Sequence, residues 1–345
     1  MVMDNEKNTI RLIEQFIPRS RSLRNSSFEA DAEIFTIDGN NLVFSMDDFS
    51  KEDHFRESDP AVLGANLAVG GISDILAAGG IPLFYAHALV TASYWDERFI
   101  RQLSKGINQV LTKAEIGFLG GDIGRAETWH YTAAVIGKLE GKPLFRRGAL
   151  PGDRIYITGE IGTGNLEAAL TIYADRYKDN RIVSRLISSV SNRFVLRYKE
   201  SRLIKKYASS CIDTSDGVCN ALNEIAELNN TGYRVENLPY TGKGKLMAKA
   251  LSLPVELLFL GECGEYELLF TLPEAGEPEF LARAKEEKLR FTQIGFITEP
   301  PHKVLLEQTG KIKRGIDLSG FSIRARDFDS SIGYLDVLVK WLAAQ

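Results

Sequence analysis

Residues 70–82 read GGISDILAAGGIP, one charged side chain, Asp74, in a run of small and apolar residues. Upstream, Leu63, Leu67 and Ala68 keep the apolar spacing of a helix that packs on a core. The glycine pairs at 70–71 and 79–80 weaken a regular helix but admit other backbone at close range. A carboxylate in this setting has to be paired, hydrogen-bonded or held on a metal ion, because burying it bare costs several kcal/mol or more. The plainer reading of the same residues is that Ser73–Asp74 caps a helix N-terminus, where Ser and Asp are favoured. Whether further acids arrive in similar company decides between the two.

On either side the chain alternates strands and helices. The spacing predicts a short amphipathic helix over 9–17, carried by Ile10, Ile13, Phe16 and Ile17. Two strands follow, joined by a turn at 38–41, and the second runs through 42–46 straight into Asp47 and Asp48. A buried strand is expected over 82–92. A helix over 97–113 places Phe99, Leu103, Ile107, Val110 and Leu111 on one face. A short strand at 116–119 then ends in Gly120–Gly121–Asp122, and another covers 129–139. This is the pattern of one mixed α/β domain over residues 1–140.

Gly, Pro and Arg concentrate in 141–153, read as a linker, and the pattern restarts in a second domain, 154–345. Its first strand, Gly-rich turn (159–164) and helix have a phosphate-binding shape, since a helix N-terminus offers free N–H groups. The glycine spacing fits neither a Walker A loop nor a dinucleotide fingerprint. Residues 176–206, basic and polar, read as a solvated helical segment. Asp213 and Asp216 flank Ser215 just before a helix starting at Val218, and Ser215 or Asp216 is the natural N-cap. A third acidic cluster, Glu262, Glu265 and Glu267, leads into a strand at 268–270. Short strands over 291–325 and a helix over 334–342 complete the chain.

Composition excludes several functions. At 345 residues, with 44% apolar residues, the chain is long enough for about two domains with sizeable cores. Net charge is −4 with the signs intermixed, so the basic footprint of a nucleic-acid binder is missing. No apolar run reaches the roughly 20 residues of a membrane span, and residues 1–12 carry no apolar signal core. Three scattered cysteines supply neither a disulfide framework nor a zinc site, and the four histidines do not cluster. The expectation is a cytoplasmic protein with no membrane or nucleic-acid partner.

The acids therefore carry the chemistry. Asp47, Asp74, Asp122, Asp213 and Asp216 each lie at a strand end or helix start beside Gly or Ser. Oxygen ligands without clustered sulfur or imidazole favour Mg²⁺ over zinc. Converging carboxylates with no arginine among them repel one another unless divalent ions sit between them, and such ions also take phosphate oxygens. That is the logic of phosphoryl transfer. A glycosidase also uses two carboxylates, but needs an aromatic-lined groove, and the aromatics here fall mostly at core periods.

Six segments in order, SMDDFSKEDHF, NLAVGGISDILAAGGIP, LGGDIGRA, RRGALPGDRIYITG, IDTSDGV and GEYELLF, resemble the thiamine-monophosphate kinase family of the aminoimidazole-ribonucleotide synthetase (PurM-like) superfamily, over about residues 28–325. The resemblance implies a two-domain α/β (α+β) PurM-like fold, its N-terminal mixed sheet forming a barrel shared across a homodimer. It implies ATP between the domains with several Mg²⁺ ions, and transfer of the γ-phosphoryl group to thiamine monophosphate, a small-molecule acceptor. Carried over by position, Asp47, Asp74, Asp122, Asp213 and Asp216 hold Mg²⁺ with Ser45 as a further ligand, and Asp74 and Asp216 are the catalytic pair. Gly121, Asp122, Arg146 and Ser215 contact nucleotide, and His54, Glu265 and Phe321 face the acceptor.

The departures matter as much. An early Gly-Asp-Asp-Ala-Ala motif of the family is EADAE here (29–33), which keeps only Asp31. The Gly-Asp-Ser after the strand at 155 is Gly162–Thr163–Gly164. Gly264 stands where a substrate-contacting glutamate is expected, and Phe321 replaces a missing Gly-Trp-x-His-Phe segment. The ATP and metal half is thus better kept than the acceptor half. The alternatives are a sister kinase with another acceptor, such as the nucleoside α-ribazole, an ATP-dependent synthetase of the superfamily, whose glycine and histidine signature is absent, and a non-catalytic nucleotide-binding homologue.

Overall fold

The computed structural model describes residues 6–53, 59–173, 192–309 and 312–345. The chain opens with helix α1 (Glu6–Glu14), tied by Lys7 to Glu224 (2.6 Å) in the second half. The first sheet contains β1 (Glu33–Ile37), β2 (Asn40–Ser50), β3 (Ile81–Ala92), β4 (Gly117–Ala126) and β5 (His130–Lys138), in the order β1-β2-β5-β3-β4. Its pairings are antiparallel except for β3 with β4, which run parallel. Along β2 the side chains alternate, so Val43, Ser45 and Phe49 are buried on one face.

Two helices cover that face. In α2 (Pro60–Ala77) the N-cap is Asp59, whose carboxylate accepts from the Val62 amide, and Pro60 opens the first turn. Ser73–Asp74 therefore lies in the helix's last turns, and the N-cap reading of that pair fails. The helix is long and apolar enough to enter a bilayer by composition, but 72% of it is covered by the rest of the protein. Its partner α3 (Glu97–Lys113), N-capped by Asp96, is amphipathic as its spacing predicts, with Leu103, Ile107, Val110 and Leu111 buried. The glycines set these distances. A Cβ on Gly64 would stand 2.1 Å from the Leu103 carbonyl oxygen, and one on Gly71 would stand 2.3 Å from the Ala133 Cβ in the sheet. Glycine lets α2 sit against both α3 and β5, which lowers Asp74 onto the sheet.

The second sheet runs β12-β11-β8-β10-β6-β9-β7, from β6 (Arg154–Thr158), β7 (Ser210–Asp213), β8 (Gly232–Val235), β9 (Leu268–Leu272), β10 (Phe291–Thr298), β11 (Lys303–Thr309) and β12 (Ile312–Asp317). One of its faces packs on α4 (Thr163–Ile172) and the helices Val218–Asn229 and Ser331–Ala343. Its other face, with Phe270 and with Phe280 from the helix Glu277–Glu286, joins α2 and the first sheet in a single apolar core. The two halves are therefore fused through buried side chains.

Two expectations are revised. Residues 176–206 do not form a solvated segment where they are described: the helix Tyr198–Tyr207 buries Leu203 and Ile204. Ser201 Oγ donates to Leu76 O and Lys205 Nζ to Gly79 O, each at 2.7 Å. These donors tie the helix to carbonyls at and just beyond the end of α2, where Leu76 O also accepts from Gly79 N at 3.0 Å. Lys205, read as surface charge, thus helps Ser201 hold the C-terminal end of the helix that bears Asp74. The helix Val218–Asn229 is capped by Gly217 (φ +84°), with no side-chain cap, so neither Ser215 nor Asp216 serves as its N-cap.

Candidate functional site

The chain folds so that three carboxylates from distant places meet. Asp31 precedes β1, Asp74 lies near the end of α2, and Asp213 ends β7. One oxygen from each lies within 4.8 Å of the others. Backbone pairing assembles them. Arg146 N donates to Glu29 O (2.8 Å) and Cys211 N to Phe145 O (2.9 Å), so residues 145–146 stitch the segment before β1 to β7.

Each carboxylate has an identifiable holder. Ser45 Oγ donates to Asp74 Oδ2 at 2.7 Å. Arg146 grips Asp31 Oδ1 through Nε (3.1 Å) and Nη2 (2.7 Å), and the Asp31 side chain is 1% exposed. Ser215 donates to Asp213 Oδ1 through its hydroxyl (3.0 Å) and amide (3.3 Å). Asp31 Oδ2 and Asp213 Oδ2 are buried without a hydrogen-bond partner. A bare buried carboxylate oxygen is costly. Two of them facing a third carboxylate form a cage of hard oxygen donors for a divalent cation.

The electrostatics agree. Burial pushes the Asp31 carboxyl up from 3.8 to about 6, Arg146 opposing and the Asp213 charge adding to the rise. Asp74 is pushed well above the usual carboxylate range by burial first, then by the charges of Asp47, Asp213 and Asp31, against the Ser45 hydrogen bond. Without a cation the three acids are a site of mutual repulsion. An arginine does stand among them, contrary to the expectation from sequence, but it serves Asp31.

The remaining candidates divide. Asp47 points to the α2 side of the sheet, and its charge bears on Asp74. The charges of Asp47, Asp213 and Asp216, together with that of Asp53, all bear on Tyr266. Asp122 lies on the edge strand β4, in register with Ala88, and is exposed, outside the three-acid cluster. Gly121 lies against His87, whose carbonyl oxygen would be 1.9 Å from an added Cβ. His54 lies outside the described residues. Glu265 is buried, and its Oε1 accepts from the amides of Gly162 (2.8 Å) and Gly164 (2.7 Å). Burial pushes its carboxyl up to about 8 against those hydrogen bonds. The Gly-rich turn thus commits to Glu265 amides that a phosphate would need. Phe321 packs on Trp341 in the second core, ring centroids 4.9 Å apart. Neither side chain is presented to a ligand as the resemblance implied.

The site includes a residue outside the ligand set expected from the sequence. Asp31, the one survivor of a damaged motif, joins Asp74 and Asp213 in the cluster and is held there by Arg146. Within EADAE nothing local sets Asp31 apart from Glu29 and Glu33; its partners Arg146 and Asp213 lie far along the chain.

Residues 29–139 match the family described as AIR synthase related protein, N-terminal domain, and residues 151–307 match the corresponding C-terminal domain. The chain is 30% identical over 268 residues to the thiamine-monophosphate kinase of Escherichia coli K12, covering 74% of this chain and 79% of that protein. It is 26% identical over 321 residues to the thiamine-monophosphate kinase of Bacillus subtilis, covering 90% and 98%. Among solved structures it is similar to a ThiL protein complexed with AMPPCP and TMP, with TM-score 0.69 and 21% identity over 87% of this chain and 93% of the other.

Proposed function

The chain belongs to the thiamine-monophosphate kinase family of AIR synthase related proteins, and from that premise we propose that it transfers the γ-phosphoryl group of ATP to thiamine monophosphate, with Mg²⁺ held at the three-carboxylate cluster. The observation that carries this reading is the meeting of Asp31, Asp74 and Asp213, with Asp31 Oδ2 and Asp213 Oδ2 left without partners. The ion, when bound, supplies charge neutralisation for the transferring phosphoryl group. Everything else falls to the chain. Ser45 orients Asp74, Arg146 orients Asp31 and Ser215 orients Asp213. Asp74 and Asp216 are the residues on which turnover depends, with Asp47 a further ligand. Gly121, Asp122, Arg146 and Ser215 face the nucleotide. No side chain forms a covalent intermediate, and rate comes from alignment and from electrostatics fixed before the substrates arrive.

A homodimer fits the first sheet. Met46, on the face away from α2, is 65% exposed, and Phe118, Leu119 and Ile123 on the edge strand β4 are exposed as well. An apolar face of this kind asks for a partner, and a second copy closing a barrel is the one the family uses. The site is built for small molecules, and a cytoplasmic location accords with ATP as donor.

A second acceptor is favoured by one observation. Glu265 and Phe321, matched to acceptor-contacting positions, are turned into the protein's own packing. The kinase chemistry then stands with a different acceptor, α-ribazole being the leading alternative. Release of ADP in the presence of Mg²⁺, with thiamine monophosphate and with α-ribazole in parallel, decides. ADP from thiamine monophosphate supports the reading; ADP from α-ribazole alone transfers it to the sister kinase; ADP from neither refutes both.

A further inference from the structure

The loop between Gly261 and Leu268 carries a residue in a costly conformation. Tyr266 has φ +55°, in the left-handed region that a bulky aromatic side chain rarely adopts. Such strain persists only where the surroundings fix it. Here they do so from both sides. Glu265 is anchored to the amides of Gly162 and Gly164. Glu267 is buried and gripped by Arg197 through Nε and Nη2, each at 2.5 Å, while its own amide donates to Thr214 Oγ1 at 3.0 Å. Gly264 N donates to Ser215 O at 3.0 Å, pinning the loop to the one that bears Asp213 and Asp216. Two anchored neighbours leave Tyr266 one direction in which to point.

The ring reaches across to the first half of the chain, beside the strand that bears Asp47 and the helix that bears Asp74. The ring lies against Phe194 (centroids 4.6 Å apart) and Phe49 (6.4 Å). Its Cε1 would be 3.3 Å from a Cβ on Gly70, one turn of α2 before Asp74. Burial first, and then the charges of Asp47, Asp213, Asp216 and Asp53, raise the hydroxyl well above its ordinary value and hold its proton in place. Carboxylates and phosphates are acceptors only, so a cleft made of the first and filled by the second is short of donors. Its neighbouring donors each already give a hydrogen bond to an acid, Ser45 to Asp74, Ser215 to Asp213 and Arg146 to Asp31, so a further donor adds to what Arg146 and Ser215 offer a nucleotide. Among the described residues the Tyr266 hydroxyl has no hydrogen-bond partner.

We propose that Tyr266 is a ligand-binding residue of this site, its hydroxyl donating a hydrogen bond to a phosphate oxygen of the metal-bound nucleotide. The inference rests on the kinase reading and adds to it a residue that reading does not use. The strain is then functional, since a relaxed backbone would aim the phenol elsewhere.

Tyr266→Phe keeps the ring and its contacts and removes the donor alone. The experiment is calorimetric titration of the full-length protein with AMPPCP in the presence of Mg²⁺. Loss of one hydrogen bond to a charged group should weaken binding about tenfold. The ligand-free variant should melt within about 2 °C of wild type, because the hydroxyl contributes nothing to the empty fold. Binding by the variant within about twofold of wild type overturns the proposal. Failure of the wild-type protein itself to bind Mg²⁺–AMPPCP overturns the nucleotide reading and this inference with it, and shows in a different sample.

Discussion

Asp74→Asn should make the ligand-free protein more stable and at the same time unresponsive to its ligands. The three carboxylates present oxygens within 4.8 Å of one another, and two ionised groups at that distance repel by about 3.5 kcal/mol at an effective dielectric constant of 20. Protonation relieves part of this. Asp74 is nonetheless pushed well above the usual carboxylate range by burial and then by the charges of Asp47, Asp213 and Asp31, so its ionised form is disfavoured in the native state at neutral pH. Asparagine keeps the shape at position 74 and an oxygen for the Ser45 hydroxyl, and removes two of the three pairwise repulsions. A gain of about 2 kcal/mol, a few degrees in melting temperature, is expected in EDTA at pH 7. Addition of Mg²⁺ and ATP at about one hundred times their dissociation constants stabilises a competent site by about 2.7 kcal/mol. Most of that gain should disappear in the variant, together with turnover. Thermal melting of both proteins, with and without ligands, reads both effects. A variant less stable than wild type in EDTA would show that the acids do not repel, and an undiminished ligand shift would show that they do not hold the metal.

Much of this arrangement is legible in the sequence where local physics decides. The alternation along β2 and the helical face of α3 need only their own neighbours, and both form where the pattern puts them. Asp74 is legible as an anomaly, an acid among apolar residues, because a buried charge demands an explanation at any position. Asp31 is not legible as a ligand. What makes it one is Arg146, 115 residues away, and the end of β7 beyond it. The basic segment before β7 misleads for the same reason: Lys205 and Arg197 resemble surface charge until their partners, Gly79 O and Glu267, are in place. Glu265 and Phe321 mark a limit of matching by position. A matched residue keeps its place in the chain while its side chain is recruited for packing, and only contacts reveal that.

Gly71→Ala should destabilise the protein by about 1–3 kcal/mol although alanine is the better helix former, because its methyl would stand 2.3 Å from the Ala133 Cβ; urea unfolding reads this, and a stabilised variant would refute the close packing of α2 on β5. Arg197→Met should cost about 3 kcal/mol by leaving Glu267 buried without its partner, with part of the loss recovered on acidification, and a loss equal at all pH values would show that the pair is structural packing alone. The last expectation concerns Glu265, whose carboxyl burial lifts from 4.5 to about 8. Its folded value exceeds its unfolded value, so the proton is held more tightly in the native state. The stability this provides is complete below about pH 4.5 and is lost as pH rises through about 8. Wild-type stability should therefore decline across that window by up to about 5 kcal/mol, since each tenfold change in proton affinity is worth about 1.4 kcal/mol. Glu265→Gln retains an oxygen for the Gly162 and Gly164 amides and cannot ionise, so its melting temperature should be flatter between pH 5 and about 8. Parallel slopes for the two proteins would mean that Glu265 is already ionised at pH 5, held so by its amide donors, and that the clamp on the Gly-rich turn is a charged one.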